Sequence, residues 1–250
     1  MNKTRENIVL TPRDLLIFHT LNELGFCSSR NLKNIVSPET QHKTFNIRLL
    51  LLKKHGFIKE LKQEYKSISQ YSIYMLNTTE IVLNRIYYET GIKYEPSIYN
   101  TSYTLYNHQL LLGDLFVYFL GKIRNKNKDF VLKAEYFTGS KTIQKILQTE
   151  LKNPETKYEY LDFVMIPDLL LSIGNTAYCL ELENMNSYKQ FHQKVLGYED
   201  MNTRKNNKKF FPLFREKNLI LIVSCWDYKK EKYEEILKEN FTGKYAISLL

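Results

Sequence analysis

Three carboxylates and one amine lie close enough along this sequence to do chemistry together. Asp168 follows Ile166-Pro167, Glu181 and Glu183 flank Leu182, and Lys194 comes shortly after them. Between Asp168 and Glu181, Gly174-Asn175 separates two apolar runs, which is a two-residue hairpin signal. With those two residues as the loop, Asp168 pairs directly with Glu181, and Glu183, two residues further on, shares their face. Leu170, Ala177 and Cys179, also on that face, are small or apolar. Opposed like charges destabilise a strand pair unless a hard cation such as Mg²⁺, a nearby lysine or solvation at a frayed end compensates. Gln190, Lys194 and Tyr198 recur at i, i+4 and i+8 on the next helix and would point donors back at the acids. Such a set can hydrolyse a phosphodiester: Asp168 and Glu181 as metal ligands, Glu183 as ligand or base, and Lys194 as stabiliser of the scissile phosphate.

Positioning these groups requires a sheet with helices against it. The pattern predicts strands at 163–173, 176–183, 219–225 and 245–249, and helices at 187–201 and 229–239. Upstream it predicts a long helix at 104–123, a strand at 130–136 and a helix at 141–151. The mixture is that of an α/β layer around a central mixed sheet, assigned to residues 103–250. Asp114 on the long helix is either a further acid near the metal site or a solvent-facing residue. His108 and His192 are candidates to approach a phosphate. Arg204, Lys205, Lys208 and Lys209 form a basic loop that would hold a phosphate backbone or simply be solvated.

Residues 1–90 have a different pattern. Thr11-Pro12-Arg13-Asp14 is a helix start, and Leu15, Phe18 and Leu21 recur at helical spacing up to Gly25. Ser28-Ser29 caps a second short helix. Ser37-Pro38-Glu39 opens a third, with Phe45, Leu49 and Leu52 on its apolar face. Residues 57–58 and 72–76 read as strands around a polar tip, and a fourth helix follows from Thr78. Three helices and a β-ribbon are the order of a winged helix-turn-helix, in which the third helix enters the major groove. Gln41, His42, Lys43, Thr44, Asn46 and Arg48 are its candidate base-reading surface, and Lys62 and Lys66 on the wing its candidate phosphate contacts. The alternative for such a polar face is solvation, or a protein contact. Residues 91–102, which include Gly91 and Pro96, form the expected linker.

Composition narrows the partner classes. The 250 residues carry 36 Lys+Arg against 27 Asp+Glu, a formal charge of +9, and the sequence pI is near 9.2. A chain that basic is expected to meet a polyanion, either nucleic acid or an anionic membrane surface. A hydrophobic share of 43% excludes a disordered chain. Cys27, Cys179 and Cys225 lie too far apart for a disulfide framework or a zinc site; they are expected to be buried small hydrophobes in a cytoplasmic protein. No run reaches the roughly 18 apolar residues of a membrane span.

Pro167-Asp168 and Glu181 resemble the hairpin of PD-(D/E)xK nucleases, with Glu183 where that superfamily has its lysine. Lys194, from the following helix, would take the lysine's place. The two halves together resemble the replication-relaxation family of plasmid and mobile-element proteins. The likeness rests on Leu10-Thr11-x-Arg13-Asp14, Arg48-Leu49-x-x-Leu52 leading to Gly56-Phe57-Ile58, Tyr74-Met75-Leu76-Asn77, His108, Ile166-Pro167-Asp168 and Glu181-x-Glu183. It implies an N-terminal winged helix-turn-helix followed by a restriction-endonuclease-like α/β domain. It also implies a double-stranded DNA binder acting in plasmid replication, relaxation or transfer. Two alternatives stand beside this: an active Mg²⁺-dependent endonuclease or nickase, and a non-enzymatic assembly factor. The protein partners left open are a relaxase or replication protein, or a second copy of the chain.

Overall fold

The computed structural model describes residues 8–61, 71–94, 103–151, 165–183, 187–203 and 217–249. The architecture is mixed α+β, with eight α-helices and eight strands among the described residues. The chain divides into two compact units, Met1–Ala134 and Glu135–Leu250. Among the described residues no helix is long and apolar enough to cross a membrane.

In the first unit, α1 (Pro12–Leu24) starts in a capping box. The Asp14 backbone N–H donates to Thr11 Oγ1 at 3.4 Å, and Asp14 Oδ2 accepts from the Thr11 N–H at 2.7 Å. Ile17, Phe18, Leu21 and Leu24 are buried on its inner face. β1 (Cys27–Ser28) leads into α2 (Ser29–Val36), which Ser28 caps by accepting from the Asn31 N–H at 3.1 Å. α3 (His42–Lys54) begins later than the expected opening at Ser37, because the Ser37 hydroxyl bonds to Glu39 and Thr40 and holds those residues in a turn. Phe45, Leu49 and Leu52 are fully buried, as the helical spacing requires. β2 (Ile58–Glu60) and β3 (Ile73–Leu76) pair antiparallel, with Ile58 opposite Leu76. β1 adds to the other edge of β3, Ser28 opposite Ile73, giving the order β1-β3-β2. α4 (Glu80–Thr90) follows, and Phe18 stacks on Phe57 at 5.4 Å in the core between these elements.

α5 (Tyr103–Lys126) packs in this same unit, not in the second half where the sequence placed it. Three contacts hold it there. Arg124 donates to the Asn34 and Ile35 carbonyls at 2.6 and 2.7 Å, satisfying the end of α2. Asn31 Nδ2 donates to Asp114 Oδ1 at 2.8 Å. Gly113 lets the helices approach so closely that an added Cβ would lie 3.2 Å from Asn31 Nδ2. The chain therefore divides after α5, beyond the 91–102 stretch expected as the linker. The strand expected at 130–136 is absent: Ala134–Tyr136 is a 3₁₀ turn, and the strand β4 is Phe137–Gly139.

The second unit is a five-stranded mixed sheet in the order β4-β5-β6-β7-β8. β4, β5 (Leu169–Ile173) and β6 (Thr176–Glu183) run antiparallel to one another. β7 (Asn218–Cys225) and β8 (Lys244–Leu249) run parallel to β6. The helices are α6 (Ser140–Leu151), α7 (Tyr188–Thr203) and α8 (Asp227–Asn240). Leu170, Ala177, Cys179, Leu221 and Val223 from the sheet form one core with Ile143, Phe191, Val195, Tyr198, Tyr233 and Leu237 from the helices. At roughly 1.5–3 kcal/mol for each large side chain removed from water, that layer is what presses α7 onto the strands.

Candidate functional site

The β5–β6 ladder has the expected register. Leu169 pairs with Leu180 and Ile173 with Thr176, so Gly174 and Asn175 form the turn. Gly174 has a φ of 53°, in the left-handed region that glycine enters without strain. Continuing the register one step sets Asp168 opposite Glu181. Asp168 Oδ2 accepts from the Leu182 N–H at 2.8 Å, which ties its carboxylate to the strand carrying both glutamates. Alternation then puts Glu181 and Glu183 on the same face as Ala177 and Cys179, beneath α7.

Both glutamates are buried, at 1% and 0% exposure. Lys194 spans them: its Nζ donates to Glu181 Oε2 at 2.8 Å and to Glu183 Oε1 at 2.5 Å. Its own side chain is 27% exposed, so the ammonium stands between solvent and the acids. One turn on, the Tyr198 hydroxyl donates to Glu181 Oε1 in a short hydrogen bond. Gln190, on the same helical stripe, does not join them. It closes a capping box, accepting from the Ser187 N–H at 2.9 Å while the Gln190 N–H donates to Ser187 Oγ at 3.3 Å. His192 instead meets Asn240 Oδ1 at 3.1 Å, on α8.

The Lys194 ammonium faces two buried glutamates, with the Asp168 charge close by. Burial first, then the charges of Asp168 and Glu183, push the Glu181 carboxyl up to about 7, against the pull of Lys194. Burial disfavours the Lys194 charge, but Glu181, Glu183 and Asp168 outweigh it and hold the ammonium above the usual lysine range. A carboxyl that titrates near neutrality beside a fixed cation is suited to exchanging a proton with a reacting group. The native state binds the Glu181 proton more tightly than the unfolded chain does. Its contribution to stability is therefore complete below the unfolded value of 4.5 and is lost as pH rises to about 7. The raised Lys194 affects stability only above its ordinary value of 10.5, outside that window. Relative to Glu181→Gln, the wild-type chain is expected to lose on the order of 3 kcal/mol between those pH values. Urea midpoints measured across the range test this, and parallel slopes for the two proteins would refute it.

The residue types fit a hard cation, since the donors are carboxylate oxygens. As arranged, the Lys194 ammonium occupies the position between Glu181 and Glu183. Among the described residues no group of three or more His, Cys, Asp or Glu is set to hold a metal ion. Asp114 belongs to the first unit, where it accepts from Asn31.

In the first unit, Gln41, Lys43 and Thr44 are exposed at the start of α3, while His42 and Asn46 are half-buried and bonded to each other at 3.1 Å. Arg48 has another task. Its Nε donates to Asp14 Oδ1 at 2.9 Å, and its Nη2 to Asp14 Oδ2 at 2.5 Å and to the Val9 carbonyl at 2.8 Å, so it clamps α3 to α1. The open face of α3 also carries Ile47 and Leu50, 60% and 55% exposed, followed by Lys54, and these were missed in the sequence. Their spacing from Lys43 (i+4, i+7, i+11) is the signal that reveals them. Arg30, exposed at the start of α2, places its guanidinium 5.6 Å from the Tyr71 ring. Lys62, Lys66, Arg204, Lys205, Lys208 and Lys209 lie outside the described residues.

No protein-family profile, no curated protein and no solved structure matches the chain.

Proposed function

We propose that this protein binds double-stranded DNA through its first unit, which we read as a winged helix, and that its second unit is a nuclease-like domain. The observation that carries the reading is the open face of α3. Lys43, Thr44, Ile47, Leu50 and Lys54 stand clear on a helix whose other face is locked into a unit of five helices and three strands among the described residues. That face combines the two kinds of group a major-groove reader needs: cations for phosphates, and methyl-bearing side chains for base edges. The likeness to replication-relaxation proteins supports a role in the replication or transfer of a plasmid or mobile element, beside a relaxase or replication protein.

Anisotropy titration of labelled duplex tests this. Affinity is expected to fall steeply with salt, about one power of the salt concentration for each phosphate engaged. Lys43→Ala and Lys54→Ala are each expected to reduce that slope, while Asp168→Ala leaves it unchanged. An intact chain with no salt-dependent duplex affinity overturns the reading in favour of an assembly factor.

The contacts of Lys194 with Glu181 and Glu183, beside Asp168, favour a second reading, a Mg²⁺-dependent endonuclease or nickase. Asp168 and Glu181 would hold the metal, which supplies Lewis-acid activation of water and phosphate. Glu183 and Lys194 would handle the proton and the phosphate charge. Under this reading the intact protein nicks supercoiled plasmid with Mg²⁺, and Asp168→Ala slows nicking by roughly 100-fold or more. Nicking that persists in Asp168→Ala comes from a contaminant or from another site.

A further inference from the structure

The carboxylate site ends where β6 and β7 run side by side, with Glu183 opposite Cys225. Just past those ends stand three exposed aromatic rings. Tyr188 opens α7, Trp226 follows Cys225, and Tyr228 lies in the first turn of α8; their exposures are 42%, 38% and 74%. Tyr233, fully buried and stacked on Phe191 at 4.0 Å, links this rim to the acids. The Tyr188 ring meets Tyr233 edge-on at 5.6 Å. Lys229 Nζ lies 5.9 Å from the Tyr228 ring centre and 5.8 Å from that of Tyr233. Burial, then the Glu183 charge, holds the Tyr233 phenol above its ordinary range, which sets the acid and the rim within electrostatic reach.

The core already has its aromatic filling in Phe191, Tyr198 and Tyr233, so the three outer rings are not needed to close it. Lys189 adjoins Tyr188 in sequence, and Lys229 and Lys230 follow Tyr228, with Lys229 placed against the Tyr228 ring. Flat exposed rings alternating with ammonium groups match a ligand in which flat bases alternate with phosphates. A duplex hides the faces of its bases, whereas an unpaired strand offers them.

The geometry points to a binding surface for unpaired nucleic acid on the second unit: bases stack on Tyr188, Trp226 and Tyr228, and Lys229 and Lys230 meet the flanking phosphates. This rests on reading the second unit as a nucleic-acid site, and it names the state of the strand presented to the carboxylates. A single-stranded end, gap or melted segment would be held there, distinct from the duplex gripped by α3.

Trp226 is the only tryptophan in the chain, so its emission reports from the rim itself. Titrating the intact protein with a thymidine oligonucleotide about 20 nucleotides long is expected to quench that emission, with a matched duplex quenching far less. Tyr228→Ala is expected to weaken single-strand affinity on the order of tenfold or more, the usual effect of removing one stacking ring. Its side chain is mostly in solvent, so the variant folds. Trp226→Phe should abolish the signal and keep affinity measured by anisotropy. Absence of quenching, equal quenching by duplex, or an unchanged affinity in Tyr228→Ala overturns the proposal. Duplex binding sensitive to Lys43→Ala is scored separately. Its loss with single-strand quenching intact removes the α3 reading alone, and the converse removes the rim alone.

Discussion

Lys194→Met is expected to destabilise the second unit by about 3–5 kcal/mol at pH 7.5, the usual consequence of removing one partner from a buried ion pair. Two glutamates at 1% and 0% exposure would then lose the ammonium that bonds both of them. The methionine stem refills most of the lysine's volume, so the loss measures charge rather than a cavity. The pH dependence identifies the cause. Without the ammonium, the native state gains stability by protonating Glu181, so much of the loss should be recovered at pH 5. Adding Glu183→Gln should recover part of it at pH 7.5, because one buried carboxylate charge is gone. Trp226 emission during urea unfolding follows this unit, in which the residue lies. A loss below about 1 kcal/mol, or one that does not change with pH, would mean that water reaches the acids.

Arg48→Met is expected to produce a loss of similar size, about 3 kcal/mol or more, confined to the first unit. Asp14 is fully buried and accepts from Arg48 Nε and Nη2 as well as from the Thr11 N–H and hydroxyl, both at 2.7 Å. Burial alone would raise its pKa. The Arg48 and Thr11 hydrogen bonds and the Arg48 charge outweigh it and hold the carboxyl below its ordinary value. That contribution is present above the unfolded value of 3.8 and is lost as pH falls through the lower folded one. Removing the guanidinium leaves a buried carboxylate with only its Thr11 donors, and also frees the Val9 carbonyl. Hydrogen exchange should show α1 and α3 opening together while the second unit stays protected. Protection lost equally in both units would refute this. For the same reason Arg48 is a poor probe of DNA contact, since its loss would weaken binding by loosening the helix.

Features with short-range physical causes were legible in the sequence. The Gly174-Asn175 reversal set the pairing of Asp168 with Glu181, because a strand's period of two leaves no freedom once the loop is placed. The Thr11-Asp14 capping box and the buried Phe45, Leu49 and Leu52 stripe were equally readable. β1 escaped notice because two residues have no period. α5 was assigned to the wrong half because an apolar face shows that a helix packs but not against what; Arg124 and Gly113, which decide it, act on residues of α2 distant in the chain. Arg48 looked like a base reader because its partner Asp14 stands on another helix. Gln190 was misread although Ser187-x-x-Gln190 is itself a capping box, a local pattern set aside for a longer-range one.

The three cysteines are all buried, and burial pushes up the thiols of Cys27 and Cys179 and, more moderately, that of Cys225. A protonated, enclosed sulfur resists alkylating reagents until its surroundings open. Because Cys27 belongs to one unit and the other two to its neighbour, pulse alkylation followed by peptide mass measurement would time the breathing of each half separately, without any engineered label.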